Sequence, residues 1–197
     1  MRSDATDQEA QEGDFMMMDA GSPEQEFVKR VETLDNAKLA MLRRGCGEPH
    51  PVEGRCPWLI GLIHGVASEP VAFLTASLLA QYKTADIRIG RHLSEGDFGM
   101  TWKRAIAGNQ SKSLSRRFHV LLDSEYDPWI GDGDLPYRLR QMVRYAASRG
   151  IGVDWPKLLA DLKFWNRPEK HVQKRWARSF FTEERLPEKA PESEGEE

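Results

Sequence analysis

Lys170, Lys174 and Arg178 stand at i, i+4 and i+8, and Arg140 and Arg144 stand one helical turn apart. Residues 101–119 carry Lys103, Arg104, Lys112, Arg116 and Arg117 without a single acid. Like charges one turn apart on a helix repel, so selection for helix stability alone would interleave acids among them. An anionic partner accounts for the pattern better. Arginine and lysine on rigid helices neutralise phosphates, release counterions and bind without regard to base sequence.

Other chemistry finds fewer footholds. There is no G-x-x-x-x-G-K-[ST], no H-E-x-x-H, no G-x-S-x-G and no strand to launch a dinucleotide-binding turn, so no catalytic residue and no cofactor are expected. Cys46, His50, Cys56 and His64 are the one group with metal-ligand residue types, but they lack the tight C-x₂₋₄-C spacing of zinc sites. Two reduced thiols are expected instead. Asp123, Glu125, Asp127 and Asp134 begin like a calcium loop, yet Pro128 stands where that loop needs Gly and the last ligand should be Glu. This reads as a capped turn, and no metal is expected. A nuclease would need clustered carboxylates for its metal, and the acids concentrate at the chain ends instead.

Trp58, Trp155, Trp165, Trp176, Phe180 and Phe181 lie in apolar periodic contexts and are expected in the core. Trp102, which precedes Lys103 and Arg104, and Trp129 in a loop are the candidates for stacking on a base.

The elements that must carry these side chains are helical. Ser22, Pro23 and Gln25 form a capping-box start, after which Phe27, Val31, Leu34, Leu39 and Leu42 recur at helical spacing up to Gly45. Pro57–Ile60 begins a short helix, and Ser68–Pro70 opens another with Phe73, Leu74, Leu78 and Tyr82 on its apolar side. Short helices are expected near residues 101–107 and 112–122, followed by an acidic loop over 123–133. Three more follow, opened by Asp134 with Pro136, by Asp154 with Pro156, and by Pro168; Gly150 ends the first. The apolar face of that first helix is Leu135, Leu139, Met142, Val143 and Ala146, which predicts that Arg140 and Arg144 project on the opposite side. No run of alternating β-branched residues appears. The fold class is all-α, a bundle or a pair of small packed bundles.

Charge divides the chain the same way. Among its 197 residues the net charge is −3, yet residues 27–182 hold 25 Lys and Arg against 16 Asp and Glu, a balance of +9. Residues 1–26 sum to −7 and residues 183–197 to −5. Segments 1–21 and 183–197, poor in large apolar residues, are expected to be disordered acidic tails flanking a helical domain over 22–182. Such segregation points to a polyanion partner. The alternative is a helical scaffold or adaptor whose basic faces meet an acidic protein surface. No apolar run is long enough to span a bilayer, the N-terminus lacks the pattern of a signal peptide, and two cysteines make no disulfide framework, so a cytoplasmic location without membrane contact is expected.

The run Leu139–Asn166, LRQMVRYAASRGIGVDWPKLLADLKFWN, followed by VQKRWARSFF at Val172–Phe181, resembles the CasB family, the small subunit of the type I-E CRISPR surveillance complex called Cascade. AKLAMLRRG (Ala37–Gly45), WKRAIAGN (Trp102–Asn109) and SRRFHVLL (Ser115–Leu122) fall in the family's order, so the resemblance covers about residues 27–182. The acidic tails and the Cys46–Cys56 segment are not part of the family pattern. The resemblance implies an all-helical, non-catalytic protein, present with a second copy of itself beside the other Cascade subunits and their guide RNA. Its implied task is to hold the displaced non-target single-stranded DNA and so stabilise the R-loop. Matching positions imply nucleic-acid contacts at Arg43, Arg44, Arg104, Arg116, Arg117 and Arg140. Helix geometry adds Lys103, Arg144, Lys170, Lys174, Arg175 and Arg178.

Overall fold

The computed structural model describes residues 21–63, 65–83, 96–109 and 111–182. Both acidic tails, apart from Gly21 of the first, lie outside these residues, as does His64. The described part is all-helical and contains no strand.

The expected capping box is present: the Ser22 hydroxyl accepts from the Gln25 N–H, and the Gln25 side chain accepts from the Ser22 N–H at 2.9 Å, starting α1 (Pro23–Glu32). The single helix expected from here to Gly45 is in fact two. Residues 33–35 break it, and Asp35 caps α2 (Asn36–Gly45) by accepting from the Lys38 N–H at 2.8 Å. The hydrophobic period runs through the break because both helices turn their apolar residues to the same core. Gly45 ends α2 where the chain presses on the backbone of Gly54; a Cβ there would lie 2.4 Å from the Gly54 carbonyl oxygen.

A 3₁₀ turn (Pro57–Leu59) leads into the one-turn α3 (Ile60–Ile63). Then comes α4 (Glu69–Tyr82), buried continuously from Pro70 to Ala80. It was expected to have one apolar side, but it runs through the middle of the fold against α1, α2, α3, α7 and α8. A helix that is apolar all round can only be stable in such a place.

Next are α5 (Phe98–Ile106), capped by Asp97, and α6 (Lys112–Leu122), whose bounds match the sequence reading. Leu114, Phe118 and Leu121 of α6 are buried, whereas Leu122 is only partly so. Two more helices follow, α7 (Leu135–Ser148) and α8 (Trp155–Leu162), the latter capped by Asp154. Asp134 precedes α7 as expected, yet its carboxylate does not cap that helix. One oxygen accepts from the Glu125 N–H at 3.0 Å and the other pairs with Arg138 at 2.5 Å. The last helix, α9 (His171–Phe181), starts three residues beyond Pro168, after Lys170 in the left-handed conformation with φ of 48°.

α9 packs against α5, and α7 touches α4, α5 and α6, so it links α4 to α5 and α6 around one contiguous core. Trp155, Trp165, Trp176 and Phe180 are buried there as expected, and Trp58 packs at its margin. Phe181 is not core: it is 50% exposed, with its ring against Phe118, His119 and Phe180.

Candidate nucleic-acid interface

At the end of α2 the last carbonyls have no partners within the helix, and the helix dipole is negative there. Arg140 of α7 answers this by donating from Nη1 to the Cys46 carbonyl oxygen at 2.7 Å. Its Nε is buried without a hydrogen-bond partner. The expected outward projection of Arg140 is therefore corrected: the side chain is half-buried and ties α7 to α2, because the polar face of α7 lies partly against a neighbour. Arg44 is exposed and bonds back to the Ala40 carbonyl of its own helix at 3.2 Å; Arg43 is half-buried. One turn beyond Arg140, Arg144 is exposed as expected.

Between α6 and α7 runs an open groove of about 410 Å³. Arg116 and Arg117 of α6 line it with Ser113 and Val120; Tyr137, Arg138, Gln141 and Met142 of α7 face them. Arg116 and Arg117 are exposed and enter none of the ion pairs of the described residues. Tyr137 and Arg138 were missed in the sequence. The signal was present: Tyr137 falls off the apolar face of its helix, and it is 66% exposed.

A third cationic region lies on α5 and α9. Lys103 Nζ donates to the Thr182 carbonyl at 2.7 Å, at the C-terminal end of α9, and Arg104 is exposed. Lys170, Lys174 and Arg178 are all exposed, and none of the three lines the α6–α7 groove.

Arg175 has a different occupation. Its guanidinium forms a close ion pair with Asp161 and lies 3.8 Å from Asp97. Asp161 is only 2% exposed and also accepts from Trp176 Nε1 at 2.6 Å and from Lys157 Nζ at 2.9 Å. A buried carboxylate needs such donors, and here two cations and an indole N–H share the task. The expectation of a solvent-facing Arg175 is corrected accordingly.

Trp102 is fully buried, its indole N–H donating to the Leu114 carbonyl at 3.3 Å, so it presents no face to a base. Trp129 is 79% exposed beside the exposed Ile130. The acidic loop is the capped turn expected: Asp127 Oδ1 accepts from the N–H groups of Trp129 and Ile130 at 2.8 and 3.3 Å. Among the described residues no three His, Cys, Asp or Glu side chains gather as metal ligands. Cys46 and Cys56 are buried free thiols, both pushed up in pKa by burial, with the Arg140 charge offsetting part of the rise at Cys46. His50 turns to Glu69 at 2.6 Å. No helix among the described residues is long and apolar enough to cross a membrane.

Fold and surface together define a small all-α protein with cationic side chains presented on rigid helices. More particularly, the chain belongs to the Cse2 family: the family model described as CRISPR-associated protein Cse2 matches residues 38–181. The CRISPR-associated protein Cse2 of Thermus thermophilus is 36% identical over 109 residues, 55% of this chain and 54% of that protein. The aligned stretch thus spans about half the length of this curated relative. A crystal structure of CasB from M. ruber is 31% identical with a TM-score of 0.64, covering 81% of this chain and 93% of that one. A chain of a CRISPR RNA-guided surveillance complex, 23% identical, shares the fold with a TM-score of 0.62 over 80% of this chain and 91% of its own.

Proposed function

We propose that this protein is the non-catalytic small subunit of a type I-E Cascade complex in the cytoplasm, where two copies hold the displaced non-target DNA strand. The observation that carries the reading is the pair Arg116 and Arg117, exposed on one rigid helix beside an open groove and outside every ion pair of the described residues. Family membership supports it, as does the shared fold with a chain of an RNA-guided surveillance complex.

The physical task suits such a surface. Pairing guide RNA with target DNA exchanges one duplex for another of nearly equal stability, so protein contacts to the freed strand's phosphates can decide the balance. Those contacts must accept any base sequence, which favours charge on fixed helices over base-edge readers. Arg44, Arg104, Arg144, Lys170, Lys174 and Arg178 extend the cationic surface beyond the groove. Arg43 and Lys103 are less open to a strand, being half-buried, and Arg140 and Arg175 support the surface from within.

Binding of the full chain to labelled single-stranded DNA across a salt series tests the reading. A strand-holding subunit gives affinity that falls linearly, on logarithmic axes, as salt rises. A scaffold that meets only acidic proteins gives no strand binding at any salt. In the reconstituted complex, omitting the subunit shortens the R-loop lifetime.

A further inference from the structure

We propose that the groove between α6 and α7 seats one nucleotide of a bound single strand, with its base stacked on Tyr137 and its phosphate held by Arg116 and Arg117. This rests on the strand-binding reading above and adds to it a specific aromatic platform.

Tyr137 lies in the first turn of α7, away from the face through which Leu135, Leu139 and Met142 enter the core. Its ring is among the most exposed of the described large apolar groups, yet it is not isolated: it borders a concave space with Met142 and Val120. The volume, about 410 Å³, lies within the range of small-ligand sites, roughly 300 to 1,000 Å³. The opposite wall supplies two arginines with no acid partner. Arg138 is also present but pairs with Asp134, so that pair adds no net charge.

An occupant must satisfy both halves of this surface, presenting a flat apolar face to a ring and an anion to the guanidinium groups next to it. A nucleotide within a strand does both. Stacking accepts any base, since every base has a π-face, which agrees with a strand of arbitrary sequence. Ser113 and Gln141 at the rim offer polar groups to base edges or sugar. Tyr137 also borders the adjoining cavity that contains Arg140 and Gly47, so the ring stands between the end of α2 and the arginines of α6.

The test uses the full chain with an oligothymidine strand and an abasic strand of equal length. Wild type should bind the base-bearing strand more tightly. Tyr137→Leu should weaken that binding by about 5- to 150-fold, with the abasic strand and the salt slope unaffected. Tyr137→Phe should restore it. Arg117→Ala should weaken both strands alike and lower the salt slope by about one. A 5-iodouracil strand irradiated in the complex should crosslink at Tyr137. Equal binding of thymidine strands by wild type and Tyr137→Leu overturns the platform while strand binding stands. Absence of salt-dependent binding by wild type overturns both readings. An acidic peptide that loses affinity on Tyr137→Leu, while DNA does not, assigns the groove to a protein partner instead. The ring is exposed, so the melting temperature of Tyr137→Leu should match wild type and exclude misfolding.

Discussion

Arg140 and Cys46 stand 94 positions apart in the chain, and a 2.7 Å hydrogen bond from guanidinium to carbonyl closes that distance. It places a cation on the C-terminal end of α2, where helix carbonyls lack partners, and so joins the first part of the fold to α7. Two arginines that look alike in sequence therefore have different work. Arg140 holds helices together, while Arg116 faces solvent.

Substitution separates the two roles. Arg140→Ala removes a charge-assisted hydrogen bond and should cost about 1.5 to 3 kcal/mol in denaturant unfolding. Arg116→Ala should change stability by no more than about 0.5 kcal/mol and act on nucleic-acid affinity instead. Equal stability for both variants would show that the Arg140 bond contributes nothing.

Where local chemistry governs, the sequence was enough. The capping box at Ser22 and the Asp154 cap each depend on residues within one turn of each other. The break between α1 and α2 was hidden because Leu34 continues the apolar period across it, although Asp35 carried the cap signal. The inward turns of Arg140 and Arg175 were not legible: their partners, Cys46 just past α2 and Asp161 of α8, lie outside the helices that carry the two arginines, and a helical wheel describes one helix only. The same limit applies to Phe181, whose exposure follows from where α9 ends. Tyr137 was legible as an aromatic off the apolar face, but the groove beneath it needs α6 beside α7.

The Asp161 cluster is the next test. Asp161→Ala leaves the buried Trp176 indole N–H without its acceptor, while the part-exposed Arg175 keeps Asp97 nearby, and should cost about 1 to 3 kcal/mol. Trp176→Ala removes a fully buried ring and should cost more, about 3 to 5 kcal/mol. Because the two side chains touch, the double variant should lose less than the sum of the singles. Additive losses in calorimetry would mean that the contact carries no coupling energy.

Gly99 controls the approach of α5 to α9. A Cβ there would lie 2.1 Å from the Trp176 carbonyl oxygen, which forces the helices apart. Gly99→Ala gains up to about 1 kcal/mol of helix propensity but should still lose about 1 to 3 kcal/mol overall through overpacking. Gly61→Ala is the matched control, since a Cβ at Gly61 meets nothing within 4 Å and should be neutral or slightly stabilising. If both variants melt alike, the close packing of α5 on α9 is not a constraint.

Two carboxylates on either side of the α1–α8 contact should respond to acid with opposite signs. Glu24, 2.8 Å from Lys163 Nζ, is held below its ordinary value near 4.5 mainly by that hydrogen bond, with burial opposing it. Its folded pKa is the lower one, so its contribution is present above the unfolded pKa and is lost as pH falls through the folded pKa. Asp154 is pushed above its ordinary value of 3.8 by burial, even though it caps α8 by accepting from the Lys157 N–H. There the folded state takes up the proton first, so stability rises as pH falls from the raised value towards 3.8. Comparison of each variant with wild type cancels the other acids. The advantage of wild type over Glu24→Gln should shrink as pH falls below 4.5. Relative to Asp154→Asn, which keeps the cap, wild type should gain as pH falls from the raised value towards 3.8 and level off below it. Melting temperatures across that range decide it: parallel curves for wild type and Glu24→Gln would mean that the Lys163 bond does not couple to folding.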